Sequence, residues 1–154
     1  MSAALAPLPQ PQSAPVVADR QCRVLIIDDD DTLSEVLSYR LQRQGIYVVA
    51  AYSGAAGLAR AREESFSAIV LDLRLPDADG LSICEQLTDA PETCSIPILI
   101  LSGTEEPGIV RRCRAAGCHY FLRKPYDPNA LWVLMRQAIR EANVWEAGRA
   151  DGEP

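Results

Sequence analysis

Four short apolar runs, each closed by a residue with chemistry of its own, constrain this chain more than any other feature. Val24-Leu25-Ile26-Ile27 runs into Asp28-Asp29-Asp30-Asp31, and Ala68-Ile69-Val70-Leu71 into Asp72. Ile98-Leu99-Ile100-Leu101 ends in Ser102, and Tyr120-Phe121-Leu122-Arg123 in Lys124-Pro125. Short, nearly unbroken apolar runs read as strands covered on both faces, the pattern of a parallel sheet between helices. In such an open α/β sheet, ligands gather beyond the carboxyl ends of the strands. The four runs therefore deliver carboxylates, a hydroxyl and an amine to one rim.

The intervening segments carry helical periodicity. Thr32-Leu33-Ser34-Glu35 matches a capping box ahead of an apolar stripe at Leu33, Val36, Leu37 and Leu41, and Gly45 suits a left-handed cap. A further strand is expected at about Tyr47–Ala51, and Ser53 is placed to cap a second helix reaching about Glu63. A third helix is expected from about Gly80 to Thr88, with Leu81, Cys84 and Leu87 inward. Asp79-Gly80 reads as turn and cap chemistry. A fourth helix starts near Glu105–Pro107 and ends at Gly117; a fifth opens on Asp127-Pro128 and reaches about Ala142 or beyond. Five β-α repeats predict an α/β fold, a doubly wound five-stranded parallel sheet with helices on both faces.

Composition sets the limits. The chain has 154 residues, 48% hydrophobic, enough for one domain with a real core. Residues 1–21, with Pro7, Pro9, Pro11 and Pro15, read as a disordered Pro/Ala-rich arm, residues 22–142 as the domain, and 143–154 as a helix extension and flexible tail. No apolar run approaches the ~20 residues of a membrane span, and no signal peptide is evident, so a cytoplasmic protein without membrane insertion is expected. The net charge of −6 argues against direct nucleic-acid binding. The cysteines, five in number and without a C-x-x-C, read as reduced apolar fillers, and His119 has no partner pattern for a ligand or base.

The rim has its own electrostatics. Two carboxylates ~4 Å apart repel by roughly 4 kcal/mol at an effective dielectric of 20. Asp28, Asp29 and Asp72 together call for protonation or a cation, and hard oxygen ligands suit Mg²⁺. Beside such a cation Asp72 is placed to attack a phosphoryl group, with Ser102 and Lys124 holding its oxygens.

These segments, from Val24 through Tyr126 and in this order, resemble the receiver domain of a two-component response regulator, over roughly residues 22–142. Leu71-Asp72-Leu73-Arg74-Leu75-Pro76-Asp77-Ala78-Asp79-Gly80 and Leu122-Arg123-Lys124-Pro125 carry much of the likeness. The resemblance implies a flavodoxin-like sandwich, with Asp72 as phosphoryl acceptor. It implies Mg²⁺ held by Asp28, Asp29, Asp72 and the Arg74 backbone carbonyl. Ser102 and Phe121 take the places of the family's switch pair, Lys124 that of its lysine, and Lys124–Pro125 that of a cis peptide. Arg74 and Thr104 occupy the positions that tune the lifetime of the acyl phosphate. The implied donor is a histidine kinase or phosphotransfer protein. The expected product is a signalling module of the stand-alone type, not an enzyme with its own metabolite. Its output passes to a downstream protein or a second copy.

The fifth helix carries a core stripe at Leu131, Met135, Ala138 and Ala142, yet Trp132, Val133 and Leu134 are apolar too. Either the core contact is wide there, or Trp132 and Val133 form a partner patch on the face of the fourth helix, fifth strand and fifth helix. Two rival classes fit the residues less well than the receiver. A haloacid-dehalogenase-type phosphohydrolase would need a second Asp where Arg74 stands. A degenerate receiver that binds without phosphorylation sits poorly with an intact Asp28, Asp29, Asp72, Ser102 and Lys124.

Overall fold

A computed structural model describes residues 21–150, with side chains through residue 148. Except for Gln21, the expected N-terminal arm lies outside the described residues, as do residues 151–154. Five strands alternate with five helices: β1 (Arg23–Ile27), α1 (Asp31–Gln42), β2 (Tyr47–Ala51), α2 (Gly54–Glu63), β3 (Ala68–Asp72), α3 (Gly80–Asp89), β4 (Ile98–Ser102), α4 (Ile109–Ala115), β5 (Tyr120–Arg123) and α5 (Pro128–Ala150). The strands are all parallel, in the order β2-β1-β3-β4-β5. This is the flavodoxin-like doubly wound order, whose switch point lies between β1 and β3.

Alternate residues of each strand feed two cores. Leu25, Ile27, Ile69, Leu71, Ile98 and Ile100 pack with Ala61, Ile83, Leu87 and Ile109 from α2, α3 and α4. Val24, Ile26, Val70, Leu99 and Leu101 pack with Leu37, Leu41, Leu131 and Met135 from α1 and α5. Burial on both faces is why β1, β3 and β4 read as unbroken apolar runs rather than as alternating ones.

Several local expectations need correction. The cap of α1 is Asp30, whose side chain accepts from the Leu33 amide, so Thr32 already lies inside the helix. The helix thereby turns Ser34 inward and leaves Val36 51% exposed. Gly45 does take a positive φ of 82°, and the Ile46 amide beyond it returns to the Leu41 carbonyl. Ser53 caps α2 through the Ala56 amide, and Asp79 caps α3 through the Leu81 amide. Helix α4 begins only at Ile109, because Gly108 adopts a left-handed conformation (φ 76°) after Pro107 and interrupts the helical path. Helix α5 continues to Ala150, so the helix extension takes up most of the 143–154 segment. Glu146 and Ala147 favour helix, and a single glycine costs only about 1 kcal/mol there.

Of the two readings of Trp132, the packing favours the wide core contact. Trp132 lines grooves with Tyr39, Arg40, Leu41 and Gln44 of the α1 flank, and Arg136 stacks 5.7 Å from its ring. It is half-buried against the α1–α5 core. Trp132 thus packs towards α1, as the wide core contact requires. On a helix, one step from the core residue Leu131 turns a side chain by about 100°, and here that turn is towards α1. Val133, one step further, is 58% exposed.

Candidate functional site

The sheet order decides which side chains meet. Strands β1 and β3 are neighbours, so Asp28 and Asp29 after β1 stand beside Asp72 at the end of β3. One oxygen from each of the three lies within 4.8 Å of the others. Asp29 is exposed, whereas Asp28 and Asp72 are only 5% and 9% exposed. Asp28 Oδ1 accepts from the Asp30 amide at 2.9 Å, and Asp72 Oδ1 from the Arg74 amide at 3.1 Å. Each carboxylate is thus oriented by the backbone of the turn that follows it.

Lys124 stands just beyond β5, after a cis Lys124–Pro125 peptide. Its Nζ donates to Asp28 Oδ2 at 3.1 Å and to Asp72 Oδ2 at 3.0 Å. Three carboxylates then share one ammonium, which leaves two negative charges uncompensated. The titration behaviour follows from that imbalance. Burial raises the Asp28 carboxyl above its ordinary value, and the Asp72 charge adds to this; the Asp30 amide and Lys124 offset it only in part. Burial alone would lower the Lys124 ammonium, but hydrogen bonding and attraction to Asp72, then Asp28, override it and raise it. Lys124 stays charged, while Asp28 is held charged only at a cost.

Ser102 ends β4 fully buried, and its Oγ accepts from the Thr104 amide at 3.0 Å. Thr104 is itself buried. Phe121 pairs with Ile100 across the β4–β5 ladder and is half-buried against the α2–α4 core. The Arg74 side chain is exposed, in the turn that joins β3 to α3. That turn is closed at its base, where Arg74 pairs with Asp79 and the Gly80 amide donates to the Leu73 carbonyl at 2.9 Å. A Cβ on Gly80 would stand 2.5 Å from the Asp72 carbonyl oxygen, so only glycine fits where α3 crosses the strand end.

The donor set passes a test for a hard divalent cation. It offers carboxylate oxygens alone, close together, in charge excess and partly open to solvent, as Mg²⁺ prefers.

The family profile described as "Response regulator receiver domain" matches residues 24–136. The chain belongs to this family. As a receiver, it is 29% identical over 122 residues to the alkaline phosphatase synthesis transcriptional regulatory protein PhoP of Bacillus subtilis, covering 79% of this chain and 50% of that one. It is 32% identical over 121 residues to the DNA-binding dual master transcriptional regulator RpaA of Synechocystis, again over 79% of this chain and 50% of the relative. This chain spans about half the length of those curated relatives. Among solved structures, a putative response regulator of Chloroflexus aurantiacus superposes with a TM-score of 0.74 at 30% identity, over 79% of this chain and 99% of the other. The chemotaxis response regulator CheY4 of Vibrio cholerae gives 0.72 at 26% identity, over 77% and 98%. Receiver domains of this family are modules of two-component signalling, and the acidic cluster here is compatible with Mg²⁺. Among the described residues, no helix is long and apolar enough to cross a membrane. All five cysteines are free.

Sequence reasoning missed one contributor to the surroundings of this site. Asp77, at the tip of the turn after Asp72, binds amides of α2. Gly54 and Ala55 precede Asp77 by 23 and 22 residues, and no local pattern links them to it.

Proposed function

We propose that this receiver accepts a phosphoryl group on Asp72 from a phosphohistidine of a histidine kinase or phosphotransfer protein, and later loses it by its own catalysed hydrolysis. An Asp72 oxygen attacks phosphorus, the P–N bond to the donor imidazole breaks, and an acyl phosphate forms. The observation that carries the reading is Lys124 bridging Asp28 and Asp72, at 3.1 and 3.0 Å, on the rim where Ser102 also ends its strand. Mg²⁺, held by Asp28, Asp29, Asp72 and the Arg74 carbonyl, would supply positive charge opposite the incoming phosphoryl oxygens. The Arg74 amide orients the attacking carboxylate. Lys124 offers its ammonium to the transferred group, and the Ser102 hydroxyl donates to one of its oxygens.

Ser102 and Phe121 then carry the change of state outward. Their positions on β4 and β5 support this, since both strands lead to α4 and α5. Output passes to a downstream protein or a second copy through the α4–β5–α5 face, with Val133 as an exposed apolar contact. Arg74 and Thr104 set the lifetime: the bulk of Arg74 shields the acyl phosphate, so Arg74→Asn shortens it. The working place is the cytoplasm, where phosphohistidine donors of this class act, and no direct nucleic-acid contact is invoked for the receiver itself. Incubation with acetyl phosphate and Mg²⁺ tests the reading. A mass gain of one phosphoryl group is expected, absent from Asp72→Asn and from a metal-chelated sample.

A further inference from the structure

The turn that carries Arg74 is anchored from outside. Asp77 Oδ1 accepts from the Gly54 amide at 2.8 Å, and Oδ2 from the Ala55 amide at 2.9 Å. With Ser53 accepting from Ala56 at 3.1 Å, three successive amides at the start of α2 are satisfied, two of them by a residue from another loop. The Ala55 and Gly54 amides also hold the Asp77 carboxyl below its ordinary value, so it is ionised across the working pH range. Packing reinforces the contact. A Cβ on Gly54 would stand 2.9 Å from Ile83 Cδ1 and 3.0 Å from Ala78 Cβ, so α2 sits directly on the residue after Asp77.

The tip and the base of this turn are therefore both fixed. Its base is tied by the Arg74–Asp79 pairing and by the Gly80 amide on Leu73; its tip is tied by Asp77 on α2. Only Leu75 and Pro76 separate Asp77 from Arg74, and proline fixes its own φ. Slack at the tip thus passes directly to Arg74. The Arg74 amide orients Asp72, and its carbonyl is the backbone oxygen assigned to the cation.

We propose that Asp77 is a positioning residue for the cation and phosphoryl site, clamping the β3–α3 turn to the start of α2 and so coupling occupancy of the rim to α2. This rests on the reading of the rim as a divalent-cation site. Coupling is reciprocal: if the clamp favours cation binding, cation binding must tighten the clamp.

Two measurements test it. The first is Mn²⁺ affinity, from the free-ion signal in electron paramagnetic resonance, for wild type, Asp77→Ala and Asp77→Asn below their melting temperatures. Asp77→Ala is expected to weaken binding at least about threefold, with Asp77→Asn between the two because its amide oxygen still accepts one bond. Equal affinity in all three overturns the proposal. The second needs no variant and so stands even if Asp77→Ala does not fold. Saturating Mg²⁺ is expected to slow hydrogen exchange at the Gly54 and Ala55 amides at least about threefold, relative to the His119 amide at the opposite end of the sheet. Unchanged exchange, or equal slowing at all three amides, overturns it. Absence of cation binding by wild type overturns both the clamp and the reading of the rim, whereas loss of the coupling alone leaves that reading standing.

Discussion

Lys124, beyond the edge strand β5, reaches over the end of β4 to Asp72, with its Nζ 3.0 Å from Oδ2. The same nitrogen lies 3.1 Å from Asp28 Oδ2, so one side chain ties three strand ends together. Lys124→Met keeps much of the stem and removes the charge. It leaves two buried carboxylates unpaired and is expected to cost about 2 kcal/mol in metal-free protein, below the 3–5 kcal/mol of a fully enclosed pair because the rim is partly open. Mg²⁺ is expected to raise the melting temperature of the variant more than that of wild type. Calorimetry with and without Mg²⁺ checks both statements; an unchanged melting temperature in the metal-free variant contradicts the account.

The start of α1 separates two capping schemes. Asp30 accepts from the Leu33 amide at 3.0 Å, whereas Thr32 lies inside the first turn. Asp30→Ala is expected to lose about 1 kcal/mol in urea unfolding. Thr32→Ala is expected to stay within about 0.5 kcal/mol of wild type. The reverse ranking would restore the capping box at Thr32.

Trp132 packs against the α1–α5 core, so its removal is expected to act on stability. Its ring is half-buried beside Leu41 and Gln44. Trp132→Ala is expected to cost about 2 kcal/mol in denaturant unfolding. Any self-association through the α4–β5–α5 face is expected to persist, as measured by sedimentation, while Val133→Asp weakens it. Loss of association in Trp132→Ala with unchanged stability would contradict this placement.

His119 predicts a pH dependence away from the rim. Its Nδ1 accepts from the Ile98 amide at 3.2 Å, which requires the neutral ring at that nitrogen. Burial lowers its pKa below the ordinary 6.5, and Glu141 offsets this in part. The unfolded chain therefore binds the proton first. The stability that His119 contributes is complete above about pH 6.5 and is lost as pH falls through its lowered folded value. His119→Asn retains an acceptor and does not titrate. Urea midpoints between pH 7.5 and 5.5 are expected to fall further for wild type than for the variant. The raised Asp28 acts with the opposite sign and is common to both proteins. Parallel curves would contradict the role given to His119.

What was legible in the sequence followed from short-range pattern. All five strands lie within one residue of their expected limits, because buried parallel strands leave unbroken apolar runs. Asp28, Asp72, Ser102 and Lys124 could be placed on one rim because each ends a strand, and parallel strands end on one side. What depended on helix phase or distant contacts was not legible. Nothing local tells which way Trp132 turns from Leu131, and Gly108 delays α4 through a left-handed backbone conformation that a glycine permits but does not require. Asp77 reads as a turn residue until α2 is placed beside it.

On the function proposed, Asp72 and not its acidic neighbours receives the phosphoryl group. Borohydride reduction of protein treated with acetyl phosphate and Mg²⁺ converts an aspartyl phosphate to homoserine, which tandem mass spectrometry then locates in the sequence. Homoserine is expected at position 72 alone and is lost when the metal is chelated. Homoserine at Asp28 or Asp29, or phosphoryl incorporation that persists in Asp72→Asn, would contradict that function.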